Sequence, residues 1–317
     1  MNDLDADNRI GVLGAVSMVG ACLLPMLDDA GWRVVAYSRR ENREASKDVE
    51  WRRLFPPQPL SSRPQQSQDN QNLTIEQYDA TANLSGRDVI PHWICLAPIW
   101  VLPDYFGLFD AHGARRLIVL SSTSRFTKEN SSDPDEQAIS LRLAEAETRV
   151  QEWAKKRGVE WVILRPTLIY GLGRDKNIVE IVHIIRRFGF FPMFGKANGL
   201  RQPVHAADVA GACLAALRVP CAVNRAYNIS GGETLTYRNM IARIFIAIGC
   251  TPRLLIVPLW VFSLAVSILR CLPRYRQWTT AMAERMNRDL VFDHTDAARD
   301  LGFKPREFVL TAEDLPI

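Results

Sequence analysis

At 317 residues the chain is long enough for one large α/β domain with a smaller lobe. Hydrophobic residues form 47% of it and charged residues 23%, which excludes global disorder. The net charge of +4 comes as scattered arginine pairs (39–40, 52–53, 115–116, 186–187) with no sustained basic run, so nucleic acid is not the expected partner.

Six cysteines show no C-x-x-C spacing and most lie in apolar segments. They read as small buried hydrophobes of a reducing compartment, and no metal site is expected. The first eight residues are polar and acidic, unlike a signal peptide, so the expected location is cytoplasmic.

Ile10, Val12 and Leu13 read as a buried strand. Gly14-Ala-Val-Ser17-Met18-Val19-Gly20 follows as a tight turn of small residues, opening a helix from about Ser17 to Asp29 that Pro25 should kink and Gly31 ends. A strand, a glycine turn and a helix N-terminus together form a site for a pyrophosphate, because the backbone approaches closely and the helix end offers amide donors. Ser17 stands where a third glycine would be usual.

The second strand, Arg33–Tyr37, ends in Ser38-Arg39-Arg40. An acid in this slot would hold a ribose 2′-hydroxyl, whereas arginine accommodates a 2′-phosphate, so the sequence favours NADP over NAD. Residues 41–72 turn to Arg, Gln, Ser, Asn and Pro and read as a surface insertion. The third strand is either Val49–Leu54 or Leu73–Tyr78; the second option puts Asp79 at a strand end, within reach of an adenine amine.

A fourth strand, Trp93–Leu96, ends in Ala97-Pro98, small enough for a cofactor ribose to lie close. The fifth, Arg116–Leu120, ends in Ser121-Ser122-Thr-Ser124-Arg-Phe-Thr-Lys128. A helix over about Glu136–Lys156 and a sixth strand, Val159–Leu164, complete an alternation that predicts a doubly wound, Rossmann-type parallel sheet. Beyond it, helices are expected at Asn177–Arg187, Val209–Leu217 and about Tyr237–Ile248. The uncharged run Leu254–Leu269 is short for a membrane span and holds Pro258. It reads as a buried helix of a small lobe, with peripheral membrane contact as the alternative. Residues 1–170 are expected to form the dinucleotide domain and 171–317 the substrate lobe, with about 201–230 returning to the first.

Six motifs in order resemble the extended short-chain dehydrogenase/reductase family, its NAD-dependent epimerase/dehydratase group. They are Gly14-x₅-Gly20, Ser121-Ser122, Leu164-Arg165-Pro166 with Tyr170-Gly171, Arg201-Gln-Pro-Val-His205-Ala-Ala-Asp208, Tyr227-Asn228-Ile229, and the segment Asp296–Pro305. The resemblance implies a nicotinamide cofactor held by Gly14, Ser17, Met18, Val19, Gly20, Ser38, Arg39, Arg40, Asp79, Ala97, Pro98, Ser121 and Pro166. It also implies a nucleotide sugar or similar polar substrate gripped by Arg201 and Arg288, a catalytic hydroxyl at Ser122 with Ser124 beside it, and a homodimer through the helices after the fourth and fifth strands.

The family's proton route needs a tyrosine and a lysine four residues apart on one helix face. Counting back from Glu147, seventeen before Leu164, those slots hold Ile139 and Leu143. No tyrosine occurs between Tyr105 and Tyr170. Lys128, Arg125 and His205 are the remaining candidate proton carriers, although His205 also reads as a satisfied structural histidine and Asp208 as a helix cap. Two outcomes stay open: an enzyme with a non-standard proton donor, or a non-catalytic NADP(H)-binding sensor, assembly or structural subunit.

Overall fold

The computed structural model describes residues 8–39, 49–54, 88–129, 131–259 and 280–316. Arg40, Asp79, the alternative third strand at 73–78 and residues 260–269 of the apolar run lie outside the described residues.

Chain order runs β1 (Arg9–Leu13), α1 (Met18–Asp29), β2 (Arg33–Ser38), β3 (Glu50–Arg53), β4 (His92–Cys95), α2 (Phe106–Ala111), β5 (Arg116–Leu120), α3 (Ser124–Thr127), α4 (Pro134–Arg157) and β6 (Glu160–Pro166). It continues with β7 (Ile169–Tyr170), α5 (Lys176–Phe188), β8 (Phe191–Phe194), β9 (Leu200–Arg201), β10 (Val204–His205), α6 (Ala206–Arg218), β11 (Arg225–Ile229), β12 (Leu235–Thr236), α7 (Tyr237–Ala247) and β13 (Leu254–Val257). Helices at Thr280–Asn287 and Thr295–Leu301 follow.

Seven strands pair in the order β11-β6-β5-β4-β1-β2-β3, every pairing parallel. The order reverses between β1 and β4, which is the topological switch point of a Rossmann-type doubly wound sheet. Both faces are covered, so the strands alternate between two cores rather than between core and water. In β2, Val34 and Ala36 join the core under α1 and α6, while Val35 and Tyr37 join the core under α4. Of the two options for the third strand, the first is found: Glu50–Arg53 pairs with β2 at the sheet edge.

One side-chain contact across the switch point requires a bare glycine. Gly11 of β1 pairs in register with Trp93 of β4, and a Cβ on Gly11 would lie 2.5 Å from the indole. The bare glycine lets the fully buried Trp93 ring lie across the strand, with its Nε1 donating to the Ile90 carbonyl at 2.8 Å.

Local signals account for the long helix α4. Asp133 caps it by accepting from the Asp135 amide at 2.9 Å, Pro134 opens it, Asp135 and Glu136 fill its first turn, and Lys155, Lys156 and Arg157 its last. Those charges complement the helix dipole. Gly158, at φ +68°, ends it.

A second core gathers Tyr170, Ile181, Met193, Phe194, Ile241, Phe245 and Phe308 around α5, α7 and β8. Here the expectation for the apolar run fails over its first residues: Leu254–Val257 is strand β13, parallel to β8, rather than the start of a helix. Pro252 and Pro258 bracket it and deny a helix its amide donors. No helix among the described residues is long and apolar enough to cross a membrane.

Candidate functional site

The Gly14 turn sits at the switch point. Gly14 has φ +82°, and a Cβ there would meet the Ala97 amide nitrogen at 2.8 Å, so the backbones ending β1 and β4 touch. Gly20 is equally constrained, since a Cβ would stand 2.1 Å from the Ala15 carbonyl oxygen. Ser17 has a specific task in place of a third glycine. It is the N-cap of α1, its Oγ accepting from the Gly20 amide at 3.1 Å while its own amide donates to Gly14 O at 3.0 Å. Capping occupies the third helical amide and leaves those of Met18 and Val19, at the first two helical positions, to an external acceptor. Ser38 ends β2 buried and Arg39 follows it exposed. These residues, with Ala97 and Pro98 opposite, fit a dinucleotide: a tight turn, two amide donors at a helix start and small side chains across the crevice.

Farther along the sheet, at the ends of β5 and β6, a polar cluster centres on Glu147 of α4. Its side chain has no solvent exposure. Ser121 Oγ donates to Oε1 at 2.6 Å, Arg165 donates through Nε to Oε1 at 3.0 Å and through Nη2 to Oε2 at 2.6 Å, and Arg125 Nη1 donates to Oε2. Burial would raise the Glu147 carboxyl, but the bonds from Arg165 and Ser121 and the charges of Arg165 and Arg125 hold it below its ordinary value. In this state the Ser121 hydroxyl is therefore committed to Glu147. Ser122 Oγ accepts from the Ser124 amide at 3.1 Å, and its own proton has no acceptor among the described residues. Pro166 is buried, its carbonyl accepting from the Thr123 amide and hydroxyl.

The slots counted back from Glu147 lie in apolar surroundings. Leu143 is buried in the core with Leu13, Cys95 and Val119, and Ile139 packs on the same cluster. Lys128 Nζ lies 4.0 Å from Glu136 Oε1, and burial, then Arg285, pulls the amine below its ordinary pKa against the pull of Glu136. Glu136 also accepts from Ser131 Oγ at 2.7 Å and from Arg285.

His205 is fully engaged. An amide can only donate, so its Nδ1 accepts from the Ala207 amide at 3.1 Å, and Nε2–H donates to Asp314 Oδ1 at 3.0 Å. The helix cap expected of Asp208 is thus supplied by His205. Asp208 falls inside the first turn of α6 and instead receives the Arg306 amide at 3.0 Å and its Nε at 2.9 Å.

Arg201 is 5% exposed and lies over the Tyr237 ring at 5.3 Å. Its guanidinium donates to three carbonyls, those of Leu200 at 2.7 Å, Arg288 at 2.8 Å and Arg285. Burial pulls its pKa down to about 10. Arg288 is exposed and its Nη1 donates to the Thr127 carbonyl at 3.0 Å, tying the segment after the Thr280–Asn287 helix to α3.

A glycine turn at the switch point of a seven-stranded parallel sheet, with serine hydroxyls at the end of β5, defines a Rossmann-type α/β fold. The NAD dependent epimerase/dehydratase family matches residues 10–230, more than half of the chain, and the chain belongs to that family.

Among curated relatives, an uncharacterized protein y4nG of Sinorhizobium fredii is 25% identical over 245 residues, covering 70% of this chain and 60% of that protein. A UDP-glucose 4-epimerase of Vibrio cholerae is 24% identical over 179 residues, covering 56% and 52%. The matches thus span 60% and 52% of the length of these relatives. Among solved structures, UDP-glucuronic acid 4-epimerase from Bacillus cereus in complex with NAD superposes with a TM-score of 0.65 at 14% identity, covering 96% of this chain and 95% of that one. MoeE5 in complex with UDP-glucose and NAD gives 0.62 at 20% identity, covering 95% and 94%. At these identities the structural likeness concerns the fold.

Proposed function

We propose that the chain binds a nicotinamide dinucleotide at the Gly14–Gly20 turn and acts on a nucleotide sugar in the adjoining crevice, with a proton carrier other than a tyrosine. The observation that carries this reading is the placement of Ser122, at the end of β5, two strands from the Gly14 turn and with its hydroxyl proton uncommitted among the described residues. The bound nicotinamide would supply the hydride acceptor; this chain's residues would orient the sugar and move the proton. Ser122, with Ser124 beside it, would polarise a sugar hydroxyl. Lys128, whose ammonium is made more acidic by burial, is our candidate for giving and taking the proton.

Arg201 supports the nucleotide-sugar part. It is a buried cation that forms no ion pair among the described residues, and with the exposed Arg288 beside it we assign it to the diphosphate. For the cofactor, Ser38 and Arg39 at the end of β2, with Arg40 next in sequence, support the 2′-phosphorylated form, whereas the structural neighbours named above were solved with NAD.

The test is hydride exchange between a panel of UDP-sugars, labelled at their carbinol carbons, and NAD⁺ or NADP⁺, with Lys128→Met beside the parent. Exchange with at least one sugar, lost in Lys128→Met, is expected; no exchange with any would refute catalysis. A second reading, cofactor binding without turnover, is favoured by Leu143 and Ile139, whose side chains add to the core where a dyad would stand. It predicts cofactor retained through purification and no exchange with any sugar.

A further inference from the structure

We infer that Arg125 and Arg165, held over the single buried carboxylate of Glu147, form a subsite for a carboxylate on the ligand, so that the protein prefers an acidic nucleotide sugar to its neutral counterpart. This rests on the nucleotide-sugar reading above and deepens it.

The first argument is a charge count. Glu147 is the only acid paired with either arginine among the described residues, so two guanidiniums share one carboxylate and one positive charge is left over. The second is where that charge lies. The Glu147 side chain is wholly buried, whereas those of Arg165 and Arg125 are 15% and 29% exposed, so the anion is beneath and the cations form the lip. Arg165 spends Nε and Nη2 on Glu147 in a two-pronged bond and is fixed by it. Arg125 spends only Nη1, which leaves the rest of its planar fork without a protein acceptor among the described residues.

The third argument is position. Arg165 lies in β6 beside the end of β5, and Arg125 stands in α3, which follows β5 directly. Both therefore stand near the carboxyl ends of the strands, the end at which open α/β sheets take their ligands. Phe126 lies between them, its ring 5.6 Å from the Arg125 Cζ and 5.2 Å from that of Arg165, and it is 40% exposed. On its other side it meets Phe292 of the second lobe at 6.1 Å. An apolar ring beside two cations excludes water from one side and strengthens their pull on an incoming anion. A guanidinium fork suits a planar carboxylate better than a hydroxymethyl, which could accept a bond but could not neutralise the surplus charge.

The experiment measures affinity for UDP-glucuronic acid and UDP-glucose by calorimetry, with the dinucleotide present, for the parent, Arg125→Gln and Arg125→Lys. Circular dichroism confirms that each variant is folded. A charge-assisted bond of this kind corresponds to about a 10–100-fold difference in affinity. The parent should bind the acidic sugar at least about 10-fold more tightly than the neutral one. Arg125→Gln should remove that preference by weakening the acidic sugar alone, and Arg125→Lys, which keeps the charge without the fork, should keep part of it. Equal affinities in the parent, or a preference that survives Arg125→Gln, would overturn the subsite while leaving the nucleotide-sugar reading intact. Binding of neither sugar would overturn both.

Discussion

Replacing Glu147 with glutamine should destabilise this protein strongly. The side chain keeps its shape but loses its charge, and an amide NH₂ is set against a guanidinium at one of the two oxygen positions. Four hydrogen bonds end on that carboxylate, three of them from arginines, and the group has no access to water. Breaking a buried ion pair from one side costs about 3–5 kcal/mol, because the partner charge stays behind uncompensated. The cost here should fall toward the lower figure, since Arg125 is part-exposed and can turn to solvent. At about 2–4 °C per kcal/mol, a cost of about 3 kcal/mol should lower the melting temperature by about 6–12 °C.

Denaturant and thermal unfolding of the parent and Glu147→Gln would measure this, with Arg125→Gln as the milder comparison. The pH dependence gives an independent check. The folded Glu147 carboxyl is held below its ordinary value of 4.5. The stability it contributes is therefore complete above pH about 4.5 and lost as pH falls through the lower folded value. Glu147→Gln should remove that part of the acid sensitivity. A loss below about 1 kcal/mol, with an unchanged acid profile, would refute the claim that the cluster is buried and coupled.

Gly14→Ala should weaken nicotinamide dinucleotide binding at least about 10-fold in a fluorescence titration, since a Cβ at φ +82° is strained by about 1–3 kcal/mol and would strike the Ala97 amide. His112 is buried, its Nδ1–H donating to Asp88 O at 2.5 Å and its Nε2 accepting from the Tyr37 hydroxyl at 3.1 Å. Burial first, against the bond to Asp88, lowers its pKa from 6.5, so the unfolded chain binds the proton more readily and stability should fall as pH drops below about 6.5. Melting curves between pH 5 and 8, taken as about the titration range of histidine, should show a shallower slope for His112→Gln. Asp314→Ala strips acceptors from His205, the Leu172 amide and Thr311. It should cost about 2–4 kcal/mol and speed hydrogen exchange at Leu172.

How far the sequence could be read depended on the range of the forces involved. β1, α1, β2, β5 and α4 were legible because apolar runs, caps and small-residue turns act within a few positions. β3 was left undecided because Glu50-Trp-Arg-Arg53, an edge strand with one neighbour, carries no apolar alternation. The sequence reads Leu254–Val257 as helix because an uncharged run looks the same in either geometry until its partner, β8, is known.

The polar cluster needed the fold. Glu147 served in the sequence only as a counting mark, and its partners Ser121, Arg125 and Arg165 stand 26, 22 and 18 positions away. Asp208 was read as a cap for its residue type, while the true cap, His205, is an unusual one and the true partner of Asp208 lies 98 residues on. Arg125 reads in the sequence as a candidate proton carrier, and the fold pairs it with that same distant carboxylate.

The contact between Gly11 and Trp93 has an evolutionary consequence. With an indole lying where a Cβ would be, neither position can change first without harm: a side chain at 11 meets the ring, and a smaller residue at 93 opens a void over a bare glycine. The two sites, 82 positions apart in the chain but opposite each other across β1 and β4, should therefore drift as a pair. Among descendants of this protein, alanine or valine at 11 should be found only with a smaller side chain at 93, and tryptophan at 93 only with glycine at 11.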